Sequence, residues 1–290
     1  MSLLHEDLAD FSDPERQLRA MKIVSRNAPY AGKEFPLVAQ IAQRGTFKMR
    51  RKALRCLLCI EPMSADGVPA AIELLQVDDL LIRVAAMAML SEVKPADKKL
   101  LTVFRRSLKD PCLEIRLLAA TALLNNGKDI QQSRKLILTT LNGGQMKEAE
   151  FAIRMLRFLG PDAEFAAPAL VELAKNGQDV EDALIAIGPA VVPHTLALWQ
   201  GDNAETRKTA LVVWKTLDTL DARIVPLLLE AVKENKAEKE PAMELLAKAD
   251  PATPGLIAAL GKELNKEKSD WDLCELLFKL GPQGMKTLID

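Results

Sequence analysis

The sequence predicts an all-α protein, a right-handed superhelical solenoid of stacked antiparallel helix pairs, and three observations carry that prediction. Arg50, Arg83, Arg116 and Ala149 open the same helical pattern at steps of 33 residues, a period of the size that marks stacked supersecondary units. The composition suits helices that pack only on their neighbours: 49% of residues are hydrophobic but only 4% are aromatic. Leu, Ala and Met, which favour helix, supply the apolar material in place of large rings. Gly, Asn and Pro recur where each pattern stops.

Laid outward from the four regular copies, the pattern predicts nine helix pairs over 2–27, 33–61, 67–93, 96–127, 130–160, 164–188, 191–218, 222–249 and 254–281. A tenth pair begins at 284–290. All belong to one domain spanning 1–290, because in a solenoid each unit needs only its neighbours. Asp13-Pro14 divides the first pair and Gly45-Thr46 the second. Pro95 stops the third, and Gly127 is placed to cap the fourth in a left-handed conformation. Leu159-Gly160-Pro161, Ile187-Gly188-Pro189 and Leu280-Gly281-Pro282 close three units alike, a helix-ending Gly followed by a Pro that suits the next helix's entry. Past residue 149 the step shortens, and Asn176-Gly177-Gln178 replaces the first turn of the sixth pair's second helix. A natural array ends in a polar capping unit, so the abrupt tenth pair predicts a fragment of a longer protein or a missing cap.

The clearest copy runs Asp110, Ile115, Arg116, Ala119, Ala120, Ala122, Leu123, and the copy before it runs Asp78, Ile82, Arg83, Ala86, Met89, Leu90. These phrases resemble the second helix of the bacterial HEAT repeats also labelled phycobilisome-lyase-like. Asp78, Asp110 and Asp202 precede second helices, where a carboxylate can accept from unpaired N–H groups. Arg83, Arg116 and Arg207 follow and can reach such a turn in an adjacent unit. The resemblance implies that these six residues form a ladder between repeats, weaker at Arg50, which lacks its own Asp.

Charge narrows the function. The formal net charge is −1, so no global field draws the chain to nucleic acid or anionic lipid. Residues 1–110 nevertheless hold 18 Lys and Arg against 14 Asp and Glu, whereas 171–290 hold 14 against 20. No run of about 18 apolar residues spans a bilayer and no signal peptide opens the chain. The four cysteines fall in predicted helices, fitting reduced thiols in the cytoplasm. Cys56 and Cys59 form a C-x-x-C inside a helix, which reads as a small buried thiol and not as a metal or redox pair.

No catalytic, cofactor or metal-binding residue is expected. Two histidines, His5 and His194, are too few for the iron site of HEAT-type deoxyhypusine hydroxylases. Phosphate-binding loops, dinucleotide fingerprints and nucleophile elbows are missing. The expected working surface is the concave wall of second helices, with Lys52, Arg55, Ala88, Leu118, Thr121, Phe151 and Arg154 facing a protein or peptide partner. Arg44, Lys48, Arg51, Lys52, Lys98, Lys99, Arg105 and Arg106 form a basic patch able to line up against phosphates. The sequence therefore points to a monomeric, non-catalytic protein-binding scaffold. Two alternatives stand behind it: a nucleic-acid-binding solenoid using the basic N-terminal half, and an accessory protein like the chromophore lyases.

Overall fold

Helices pair along the chain in hairpins, and within each of two units several like members of successive pairs pack on one another. The computed structural model describes residues 3–27, 30–60, 67–201, 203–233, 238–266 and 270–289. They are all-helical, with no strand among them, and divide into two units, Met1–Met155 and Leu156–Asp290.

The first unit holds α1 (Leu3–Ala9), α2 (Pro14–Arg26), α3 (Phe35–Arg44), α4 (Phe47–Leu57), α5 (Gly67–Leu74), α6 (Leu80–Ser91), α7 (Lys98–Ser107), α8 (Leu113–Asn125), α9 (Ile130–Leu141) and most of α10 (Met146–Leu159). First helices stack as α1 on α3 and α3 on α5, and second helices as α2 on α4 and α6 on α8. The second unit repeats this plan with α11 (Ala167–Lys175), α12 (Glu181–Ile187), α13 (Val192–Trp199), α14 (Ala204–Lys215), α15 (Val225–Lys233), α16 (Lys239–Leu246), α17 (Leu256–Lys266), α18 (Trp271–Lys279) and α19 (Pro282–Ile289).

The 33-residue step has a steric cause. Ala20, Ala53, Ala86, Ala119 and Ala152 follow that step and are all fully buried, a methyl being the largest group that lets helix ridges settle closely into neighbouring grooves. The register thus extends one unit further toward the N-terminus than its arginines do. At the position where the copies have Arg, buried Gln17 instead donates from Nε2 to the Leu8 carbonyl, 3.0 Å away.

Caps set the helix starts. Asp13 accepts from the amides of Glu15 and Arg16, Thr46 from Met49, and Asp97 from Leu100. At α6 the capping carboxylate is Asp79, not Asp78, and it accepts from Leu81 and Ile82. Gly127, at φ +63°, closes α8, with the Lys128 amide returning to the Leu123 carbonyl at 2.8 Å.

In the second unit, fully buried Trp214 donates from Nε1 to Thr195 Oγ1 at 2.9 Å, and its ring lies 5.4 Å from that of Trp199. The stretch Glu181–Trp199 is long and apolar enough to cross a membrane by length and composition, contrary to the sequence expectation. It is not one straight helix: Gly188 ends α12 at φ +76°, and a 3₁₀ turn over Gly188–Val191 precedes α13.

Candidate functional site

The second helices are joined across pairs by ion pairs running forward along the chain. Arg50 stands 3.9 Å from Asp79, Arg83 donates to Asp110 Oδ2, Arg207 Nε reaches Glu238 Oε1 at 2.7 Å, and Lys239 Nζ reaches Asp270 Oδ2 at 2.6 Å. Of the six expected ladder residues, the structure pairs Arg83 with Asp110. Arg116 instead binds the carbonyls of Asp110 and Pro111 in its own turn. Asp78 is exposed beside a groove, and Asp202 lies outside the described residues. Arg207 keeps a forward rung and also binds the Gly201 carbonyl at 3.0 Å. An Asp followed five or six residues later by Arg does not pick out Asp79, Glu238, Lys239 or Asp270, because the rung needs only a cation on one helix and an acid at the entry of the next.

These rungs fix which side of each second helix meets solvent. On α4, Met49, Ala53, Cys56 and Leu57 are buried while Lys48, Arg51, Lys52 and Arg55 are exposed. The Arg51 guanidinium stands 5.8 Å from the ring centroid of exposed Phe47, and these five exposed side chains line a cavity of about 410 Å³. On α2, which packs against α4, the exposed cations are Arg19, Lys22 and Arg26.

Two expectations about this wall need correction. Leu118 and Thr121 are 5% and 3% exposed; α8 is enclosed on nearly all sides by its neighbours, and the Thr121 hydroxyl donates to the Leu117 carbonyl within its own helix. Neither can meet a partner. Lys98, Lys99, Arg105 and Arg106 belong to α7, a first helix, whereas Lys48, Arg51 and Lys52 belong to α4, a second helix. They occupy opposite layers and form no common stripe with one another, and Arg44, at the end of α3, sits with the first helices. Arg105 is already paired with Asp129 at 2.9 Å. Ala88 and Phe151 are half-buried, and exposed Arg154 lies over the Phe151 ring at 5.4 Å.

A groove of about 870 Å³ opens between the turns that end α5 and α7, bounded by Asp78, Arg83, Arg106, Lys109 and Asp110 over Leu75, Val77 and Val103. In the second unit, Glu240 and Glu244 of α16 face Asp272 and Glu275 of α18 across a cavity of about 180 Å³. Glu244 pairs with Lys215 and Glu275 with Lys279. Burial pushes the Asp270 carboxyl up, but the Lys239 ammonium and the Leu273 and Asp272 amides outweigh it and hold the group below its ordinary 3.8.

Cys56 is buried, 3.5 Å from the Met21 carbonyl, and burial pushes its thiol up; Cys59 is exposed. Among the described residues no cluster of three or more His, Cys, Asp or Glu could hold a metal ion.

No protein-family model and no curated protein matches the chain. Solved structures do. Kap95p, in its complex with RanGDP, aligns with 96% of this chain and 44% of its own length at 13% identity and a TM-score of 0.53. The CpcE–CpcF complex of phycocyanin lyase from Nostoc sp. PCC7120 aligns at 20% identity over 73% of this chain and 93% of its own, with a TM-score of 0.36. A designed armadillo repeat protein aligns at 13% identity over 74% and 98%, with a TM-score of 0.31. The chain is thus similar in fold to Kap95p.

Proposed function

We propose that this chain is a non-catalytic HEAT-type scaffold that binds protein partners along the exposed walls of its second helices. The observation that supports this reading best is the opposite charge of the two walls: exposed cations on α2 and α4 in the first unit, carboxylates on α16 and α18 in the second. Helices so joined offer a stiff surface, and complementary charge on such a surface selects and steers a partner more than it tightens binding. Kap95p, whose fold is similar, binds RanGDP. A role beside a chromophore lyase would call for an apolar pocket, and the groove between the ends of α5 and α7 is rimmed by charged side chains.

Affinity capture with the wild type beside two folded variants tests the reading. Lys52→Glu with Arg55→Glu should lose one set of bound proteins, and Glu240→Lys with Asp272→Lys another. Identical sets from all three, with unchanged circular dichroism, would refute it.

A further inference from the structure

The exposed cations of α2 and α4 lie on one side of a packed helix pair. Cys56 on α4 touches the Met21 carbonyl on α2, and each helix turns its buried face inward from that contact, Met21 and Val24 on α2, Ala53 and Leu57 on α4. Arg19, Lys22 and Arg26 are therefore brought beside Lys48, Lys52 and Arg55, and none of the six has an ion-pair partner among the described residues. Glu15, at the first turn of α2, is the one carboxylate within the two helices. Six unpaired cations over two short helices make a strong local field on a molecule of net charge −1.

The next second helix does not continue the charge. The Arg50–Asp79 pair sets the first turn of α6 beside that of α4, and there α6 presents Leu80 and Leu81, the latter 68% exposed. Phe47, 71% exposed, holds on α4 the position that Leu80 holds on α6, one 33-residue step later. Further along, α6 offers half-buried Ala88 and Met89; on α8 the positions equivalent to Lys52 and Arg55 are buried Leu118 and Thr121, and the helix's one cation, Arg116, donates to the carbonyls of its own turn. A polynucleotide tracks a basic stripe along its backbone and gains with every phosphate met, whereas here the basic area stops after two helices and gives way to apolar side chains.

We propose that the α2–α4–α6 wall binds an acidic peptide segment of a partner protein, its carboxylates on the α2 and α4 cations and its apolar side chains on Phe47, Leu80 and Leu81. This rests on the protein-binding reading above and names the class of segment recognised. Charge complementarity supplies the encounter and the apolar strip discriminates against polyanions that lack hydrocarbon side chains.

The probe is a fluorescein-labelled peptide of about 15 residues alternating Glu with Leu and Phe, long enough to lie across adjacent helices, compared with single-stranded and duplex oligonucleotides of matched charge. Anisotropy should show saturable peptide binding that Lys52→Glu with Arg55→Glu weakens at least about tenfold. Arg19→Glu with Lys22→Glu, on the other helix, should do the same, so that a folding fault in one pair leaves the other to decide. Leu81→Ala should weaken the peptide several-fold and leave any oligonucleotide binding unchanged. No saturable peptide binding, or oligonucleotides bound more tightly than the peptide, would overturn the assignment. If the peptide fails while Glu240→Lys with Asp272→Lys still strips partners in affinity capture, this inference falls and the scaffold reading stands.

Discussion

The hydrogen bond from the Trp214 indole to Thr195 permits a stability test that a mere packing account would fail. Both residues are fully buried, and the Thr195 hydroxyl itself donates to the Val192 carbonyl at 3.1 Å, so its oxygen serves the indole as acceptor. Thr195→Val keeps the side-chain shape but leaves a buried indole N–H without a partner, a loss of about 1–3 kcal/mol. Trp214→Phe removes the donor together with ring volume and should cost roughly 2–4 kcal/mol. With the donor gone, Thr195→Val should then cost less than about 0.5 kcal/mol, a coupling of roughly 1–2 kcal/mol between neighbours. Urea unfolding followed by tryptophan fluorescence suits the measurement, because Trp199, Trp214 and Trp271 all lie in the second unit. Equal costs of Thr195→Val in both backgrounds would refute the reasoning.

Ala119→Leu should lower stability by about 1–3 kcal/mol through overpacking between second helices, read as a drop in the thermal midpoint, while a Leu at exposed Arg51 should have little effect. In native protein, Ellman's reagent should modify exposed Cys59 quickly and Cys56 only after denaturant is added, since burial raises the Cys56 thiol and so lowers its thiolate fraction at any given pH. Asp270 is held below 3.8 in the folded chain, so its contribution is full above that value and lost as pH falls through the lowered one. Asp270→Asn keeps an acceptor for the Leu273 amide but removes the charge paired with Lys239; it should destabilise the second unit near neutral pH and flatten its acid unfolding profile relative to wild type.

Much of the fold was legible because repetition supplies its own check: a helix start inferred at Arg83 is tested again at Arg116, and the Gly-Pro closures mark the stops independently. What escaped was side-chain direction. Leu118 and Thr121 sit at positions that are exposed on α4, where their counterparts are Lys52 and Arg55, yet α8 lies deep enough among its neighbours that the same positions are closed. A helix wheel gives the angle of a side chain about its own axis and says nothing of what the neighbouring helices cover.

The basic surface shows the same limit in a more instructive form. The cluster from Arg44 to Arg55 was conspicuous because its cations are consecutive in the chain, and the cations of α7 drew notice for the same reason. Joining Arg44 or the α7 cations to those of α4 crosses the layers, since neighbours in the chain can share a helix but only like members of successive pairs share a wall. Arg19, Lys22 and Arg26 are spaced out along α2 and drew no notice in the sequence, although α2 packs on α4 and its cations belong beside Lys52 and Arg55. In a repeat fold the unit of recognition is therefore the column of equivalent positions, and a charge cluster means most when it is read down that column, where Lys48 is followed one repeat later by Leu81 and the basic surface ends.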